Sequence, residues 1–249
     1  MRVHLIFVAM LICGGASEYA LHAQTPAPAA DKVVATMFIR DGAREAASGG
    51  YTGNREYILE NHRLNKRAEM VVSITCDHNG EKHFQVTSED GWKSANRHVL
   101  HPMVETESDS SRPQIRAKNR ITSDNYSFRM VETGPIAGRM AYVIEAIPKR
   151  EDKGLFRGRI WVDTEDYALA RVEGEPAKNP SFWTKSVHFV QEYQKSGQLW
   201  FPLATTSVTD ARIFGRTDVS IRYFDYKAVT EAPYLPPDQS TWEAHNAGR

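Results

Sequence analysis

Four side chains around one turn hold most of the metal-ligating chemistry in this sequence. Cys76, His78, Glu81 and His83 flank Asn79-Gly80, a dipeptide suited to a two-residue hairpin turn because both turn positions need positive φ. In such a hairpin His78 faces Glu81 and Cys76 faces His83. Alternation along the strands then puts all four on one side of the ribbon. Thiolate and imidazole ligands would suit zinc or copper. The spacing matches no recognised ligand pattern, so a polar hairpin tip explains Cys76, His78 and His83 better, and no metal or other cofactor is expected. Cys76 has no catalytic His–Asn context and reads as a small apolar sheet residue. His98 and His101 lie three apart on a helical stretch, where a solvated face is the ordinary reading. Asp163, Glu165 and Asp166 follow a strand, where acidic residues serve turns. The sequence has no G-x-S-x-G elbow, H-E-x-x-H, Walker loop or G-x-G-x-x-G. Nothing therefore points to an enzyme.

The elements that would position these groups follow from periodicity. Asp31 reads as an N-cap before Val33, Val34, Met37 and Phe38 at helical spacing. Alternation then sets in. Strands are expected over 56–61, 66–78, 83–88, 125–133, 139–148, 156–164, 167–173, 185–195, 200–211 and 217–228, with a turn at Gly134-Pro135. Between the third and fourth lies a helical stretch over 94–108, with Val99, Leu100, Met103 and Val104 as one stripe and Pro102 as a kink. Strands joined by short turns make an antiparallel sheet, and a sheet this large curls. The fold class is mainly β (α+β): one curled antiparallel sheet of about 9–11 strands. Its apolar face needs a cover, and the two helical stretches are the available one.

The chain has 249 residues, 31 basic and 31 acidic, and is 41% hydrophobic. That balance excludes a disordered chain and a nucleic-acid binder working by overall charge. Residues 1–23 read as a secretory signal peptide: Arg2 and His4, an apolar run from Leu5, and Leu21-His22-Ala23 before the cleavage point. Residues 24–30 read as a flexible leader and 229–249 as a Pro-containing tail. Cleavage removes Cys13 and leaves Cys76 alone, so no internal disulfide is expected. The mature protein is expected to be soluble, periplasmic and monomeric. With 5 Trp, 10 Tyr and 10 Phe, its positive signal is apolar and aromatic surface. Strand pattern alone does not separate a filled core from a cavity.

The run Phe156-Arg157-Gly158-Arg159-Ile160-Trp161-Val162-Asp163, followed by Tyr167-Ala168-Leu169-Ala170-Arg171-Val172-Glu173-Gly174, resembles the LolA/LolB-like outer-membrane lipoprotein-sorting proteins. Asn179-Pro180-Ser181-Phe182-Trp183, Leu199-Trp200-Phe201-Pro202 and Tyr223-Phe224-Asp225-Tyr226 fit the same pattern, and the likeness covers residues 31–228. It implies a half-open β-barrel whose concave face is covered by helices and which binds lipids or lipoprotein acyl chains without catalysis. On that basis Phe128, Met130, Ile144, Ile160, Val162, Leu169, Phe189, Ile221 and Tyr223 would line the cavity. Val34, Met37, Leu100 and Met103 would form the lid. In the carriers an arginine on an early strand ties the lid; Arg55 and Arg63 both qualify here, and neither is carried over. The alternative is a regulatory module with a filled core, binding an envelope membrane protein.

Overall fold

The computed structural model describes residues 28–179 and 184–229. The signal peptide, most of the leader, Phe182-Trp183 and the tail beyond Val229 lie outside the described residues. Ten strands form one antiparallel sheet. They are β1 (Tyr51–Asn61), β2 (Lys66–Cys76), β3 (Lys82–Gly91), β4 (Tyr126–Ile136), β5 (Arg139–Pro148), β6 (Phe156–Asp163), β7 (Leu169–Pro176), β8 (Thr184–Ser196), β9 (Leu199–Ala211) and β10 (Gly215–Ala228). Their order is β3-β2-β1-β10-β9-β8-β7-β6-β5-β4. Every neighbour is a sequence neighbour except β1 and β10, which join the first and last strands in the middle of the sheet. The sheet curls and stays open, with β3 and β4 as its edges.

Helix α1 (Ala30–Ala46) precedes the sheet. Its N-cap is Ala29, without a side-chain cap. Asp31 sits instead in the first turn, where a carboxylate meets the positive helix end, and it accepts the Ser123 hydroxyl at 3.0 Å. The second helical stretch is α2 (Lys93–Ala95), a π-helical turn (Asn96–Leu100) and α3 (His101–Ser111), continued by α4 (Pro113–Asn119). The π turn ends two residues before Pro102. A proline ring collides with the carbonyl four residues back and offers no N–H, and a widened turn absorbs both effects. Leu100 and Val104 face inward, but Val99 is exposed and leaves the stripe.

Two turns differ from expectation. The β4–β5 turn falls at Ala137-Gly138, with φ of 47° and 78°, and Gly134-Pro135 continues β4. The β2–β3 connection spans five residues, because the Asp77 carboxylate accepts the backbone N–H of Asn79 and of Glu81, each at 2.9 Å. That Asx-type bonding displaces the two-residue turn. Cys76 therefore pairs with Lys82, and His83 with Thr75.

Two large cores fill the concave side, beside a small third cluster of Tyr126, Ala146 and Leu155. Under α1, Val33, Val34 and Met37 pack on Ile144, Ile160, Val162 and Val172, with Phe128, Met130, Leu169 and Phe189 around them. Under α2–α3, Leu100, Val104 and Met103 pack on Tyr57, Leu59, Met70, Val72, Val219, Ile221 and Tyr223. Each fully buried aliphatic side chain contributes about 1.5–3 kcal/mol. Both helical stretches are thus held by their own share of the sheet.

Candidate binding cavity between the two helical covers

Between those cores the concave face is unpaved. The register sets Thr205, Ser207 and Thr209 of β9 beside Ile221, Val219 and Thr217 of β10, and Ser207 beside Phe189 of β8. These short polar side chains belong to neither core, and Thr205 meets the edge of one through its hydroxyl, 2.9 Å from the Tyr223 hydroxyl. Near the start of β9 the gap opens into a cavity of about 460 Å³. One wall is the end of α1 with Asp41, Arg44 and Glu45. The opposite wall is Glu107, Ser110 and Ser111 of α3 with Arg116 of α4. Tyr51, Tyr193, Leu199, Trp200, Phe201 and Leu169 supply aromatic and apolar surface. Tyr51 meets Phe201 edge-on at 5.6 Å between ring centres, and Phe201 lies 5.4 Å from Tyr226. The lining is therefore amphipathic, with rings on the floor and charges at the walls.

A buried ion cluster ties α3 to the sheet inside this cavity. Arg55 of β1 is 1% exposed. It points inward because it lies on the same alternating face as Tyr57 and Leu59. Its guanidinium pairs with the Glu107 carboxylate and donates to the Tyr226 hydroxyl at 2.9 Å. It also lies over the rings of Phe84 and Tyr223, at 5.0 and 4.8 Å. Lys82 of β3 donates to the other Glu107 oxygen at 2.7 Å. Burial pushes the Glu107 carboxyl up, but Lys82 and Arg55 outweigh it and hold the group down at about 2. Burial alone would lower the Arg55 and Lys82 values, and Glu107 reverses both. A buried arginine without such a carboxylate would be prohibitively unfavourable.

At the other wall, Arg44 donates to the Asp166 carbonyl at 3.0 Å and Arg40 to the Glu165 carbonyl at 2.8 Å. The end of α1 is thus pinned to the β6–β7 turn. That turn absorbs the acidic trio of the sequence. Asp163, 1% exposed, accepts two bonds from Arg139 at 2.6 and 2.9 Å. Glu165 and Asp166 lie 3.0 and 3.5 Å from the same guanidinium. Burial pushes the Asp163 carboxyl up, and Arg139 with the N–H groups of Asp166 and Glu165 brings it below the usual range. Asp163 orders the turn, while the Asp166 carboxylate also accepts from Lys195 at 2.7 Å and from the Trp200 indole N–H at 3.0 Å.

The metal-like cluster is not assembled. Cys76 is buried and lines the cavity, His78 stands at its mouth, and His83 is exposed on β3. Burial raises the Cys76 thiol above its ordinary value. Among the described residues, no group of three or more His, Cys, Asp or Glu could hold a metal ion. His101 pairs with Glu89 of β3, and His98 is exposed. Of the nine expected cavity residues, Leu169 lines the cavity. Phe128, Met130, Ile144, Ile160, Val162 and Phe189 pack beneath α1, and Ile221 and Tyr223 beneath α2–α3. Val34 and Met37 sit on the first core and Leu100 and Met103 on the second. Of the two early arginines, Arg55 pairs with Glu107 of α3. Arg63 sits on the β1–β2 turn and donates to the Ile213 carbonyl at 2.9 Å. Sequence reasoning missed Glu107, Lys82, Tyr51, Tyr193, Trp200 and Phe201. An inward-facing charge on one element implies an opposite charge on its cover, and Glu107 continues the Leu100–Val104 stripe by one helical turn.

Residues 119–227 match a family of unknown function (DUF5686). No curated protein matches the sequence. Solved structures matching the chain include LolA-superfamily proteins. A domain assigned as an outer membrane lipoprotein-sorting protein from Vibrio parahaemolyticus is 13% identical, with a TM-score of 0.43, over 82% of this chain and 94% of that one. A DUF1329 family protein from Desulfovibrio piger ATCC 29098 is 10% identical, with a TM-score of 0.45, over 86% and 99%. A LolA superfamily protein from Nitrosomonas europaea is 10% identical, with a TM-score of 0.35, over 83% and 96%. No helix among the described residues is long and apolar enough to cross a membrane.

Proposed function

We propose that this protein is a periplasmic carrier or sensor, not an enzyme, that holds a lipid or a lipoprotein acyl chain in the cavity between α1 and α3–α4. The observation that carries this reading is that cavity, closed on one side by a helix whose cavity-facing end is tied to the sheet by a buried ion cluster. Its 460 Å³ falls within the ~300–1,000 Å³ of ordinary small-molecule sites. Rings on the floor suit an acyl chain, since each methylene removed from water is worth about 0.8 kcal/mol. Charged walls suit the polar end of an amphiphile. The names of the matched proteins, a lipoprotein-sorting domain and a LolA superfamily protein, agree with this class of ligand. In this reading Arg55–Glu107 is the catch: while it is made, α3 stays on the sheet and the cavity stays small. Admission of a longer chain requires the catch to yield.

The test is uptake of a fluorescent fatty acyl probe by the mature protein, with mass spectrometry of an organic extract of the native protein. Ser110→Trp places a large ring in the cavity and should lower uptake at least tenfold. Ile147→Asp, on an exposed position of β5, should not. An empty extract and no probe uptake would refute the reading.

A second reading has its own observation. Both cores are filled, and Ile144, Ile160 and Val162 are fully buried beneath α1. A protein with filled cores and two unpaired edge strands can act as an interaction module for an envelope membrane protein, by strand addition at β3 or β4. Recovery of a crosslinked partner from a protein without extractable lipid would favour it.

A further inference from the structure

The far end of the same strands carries a different surface. The β1–β2 turn and the β9–β10 turn lie side by side there, because β1 pairs with β10 from Tyr51 to Asn61. They are bonded into one unit. The Asn61 side-chain amide donates to the Phe214 carbonyl at 3.0 Å and to the Thr217 hydroxyl at 2.7 Å, and its oxygen accepts the Leu64 N–H at 2.8 Å. The Arg63 guanidinium donates to the Ile213 carbonyl at 2.9 Å. This double tip presents its apolar side chains outward: Leu64 is 42% exposed, Ile213 52% and Phe214 49%. Such side chains on a fixed tip gain nothing from the fold.

The tips themselves carry only basic charge, with Glu60, Glu69, Asp210 and Asp218 set back along the strands. The segments 61–68 and 211–217 contain Arg63, Lys66, Arg67, Arg212 and Arg216 and no acidic residue, in a chain whose formal net charge is zero. Arg67 is paired with Glu60 and Glu69, and Arg216 with Asp218. Arg63 and Lys66 are exposed and meet no carboxylate among the described residues; Lys66 lies over the Trp92 ring at 5.3 Å. Apolar points with cations set just behind them match the layering of an anionic bilayer, with hydrocarbon beneath a plane of negative headgroups.

We propose that the paired β1–β2 and β9–β10 tips dock the protein on an anionic lipid bilayer, with Leu64, Ile213 and Phe214 entering the interface and Arg63 and Lys66 meeting headgroup phosphates. A bilayer accepts a protruding tip of any outline, whereas a protein partner needs a complementary hollow and a packed core. Here two adjacent turns end the strands, with exposed apolar side chains and the unpaired cations Arg63 and Lys66, which favours the bilayer. The tips stand at the opposite end of the strands from the cavity, so docking leaves the cavity mouth turned away from the membrane and open to exchange.

Co-sedimentation of the mature protein with vesicles tests this, using phosphatidylcholine alone and phosphatidylcholine with ~30% phosphatidylglycerol. Partition onto the anionic vesicles should be at least tenfold stronger and should weaken as salt rises. R63Q/K66Q should lose roughly twenty-fivefold, at about fivefold per cation near the surface. L64S/F214S should lose at least tenfold with all charges retained. Thermal melts of both variants matching the wild type establish that the fold is intact. Equal partition onto neutral and anionic vesicles, or wild-type binding by folded L64S/F214S, overturns the proposal. So does capture of a protein by the tips without vesicle binding. Probe uptake in vesicle-free solution reads the cavity alone, so failure of either reading is seen separately.

Discussion

Replacing Glu107 by glutamine (E107Q) keeps the side-chain shape and removes the charge that Arg55 and Lys82 share. Arg55 is then left with the Tyr226 and Tyr57 hydroxyls and two ring faces, and Lys82 can extend toward water. Breaking a buried pair by neutralising one partner costs about 3–5 kcal/mol. Glu107 is 33% exposed, so solvent screening brings the expected loss to roughly 2–3 kcal/mol. The proton linkage gives a similar figure. The carboxyl lies at about 2 in the fold against an ordinary 4.5, and each unit is about 1.4 kcal/mol before the same discount. For a domain of this size that is about 5–10 °C in the melting temperature.

The pH dependence supplies the sharper readout. A depressed carboxyl contributes its full stability above pH 4.5 and loses it as pH falls through about 2. The melting temperatures of wild type and E107Q should therefore differ fully at pH 7 and converge between pH 4.5 and 2. The double variant R55M/E107L, which removes both charges and keeps the volume, should recover much of the loss, because the cost lies in the unpaired charge. A gap below 1 °C at pH 7, or a gap that persists at pH 2, would refute the assignment of Arg55–Glu107–Lys82 as the tie between α3 and the sheet. If the tie is also the catch on the cavity, E107Q should take up the acyl probe faster than wild type at pH 7.

Asp163→Asn removes the charge that orders the β6–β7 turn; a loss of about 2–3 kcal/mol is expected in urea denaturation at pH 7, shrinking in acid as the wild-type carboxyl protonates. Gly158→Ala should be among the most harmful small changes, because its Cβ would lie 2.0 Å from the Glu173 carbonyl oxygen and 2.6 Å from the Gly174 Cα; overpacking of that kind costs about 1–3 kcal/mol, and a wild-type denaturation midpoint would show that the two strands can part. Ile160→Ala should cost about 2–5 kcal/mol as a cavity in the core under α1, without removing probe binding by the fraction that remains folded. The Cys76 thiol should resist a thiol-specific reagent at pH 8 in native protein and react at once when unfolded, since burial raises its pKa.

The sheet was readable because its strands alternate. The expected β5 matches Arg139–Pro148 residue for residue, and β6, β8, β9 and β10 begin or end within two residues of expectation. Failures have local causes. Asn79-Gly80 favours a two-residue turn, but the Asp77 carboxylate reorganises the loop and shifts the β2–β3 register. Gly134-Pro135 looked like a turn because both residue types favour one, yet β4 is an edge strand and an edge tolerates proline. At the cavity, a strand starting at Glu56 instead of Tyr51 leaves out Arg55, which is buried to 1% exposure. Had the alternation Gly53, Arg55, Tyr57, Leu59 been followed back, an inward arginine would have required an inward carboxylate, and Glu107 is the acidic residue continuing the buried α3 stripe.

The apolar pattern located the cores and, by the same logic, missed the cavity. Residues that alternate strongly are those the fold buries, so Ile144, Ile160 and Val162 end beneath α1 with no exposure and cannot face an open site. A cavity needs the reverse: a strand whose inward positions are too short or too polar to meet a cover. In β9 those positions are Thr205, Ser207 and Thr209, between two strands that present Ile221 and Phe189 on the same face. Neither helical stretch has anything to gain by crossing such a strip, so each settles on its own side and a trough remains between them. The aromatic residues at one end of that trough, Tyr51, Tyr193, Trp200 and Phe201, then form a greasy floor that no helix covers. In a curled sheet with too few helices, the break in alternation marks the strand that no helix covers.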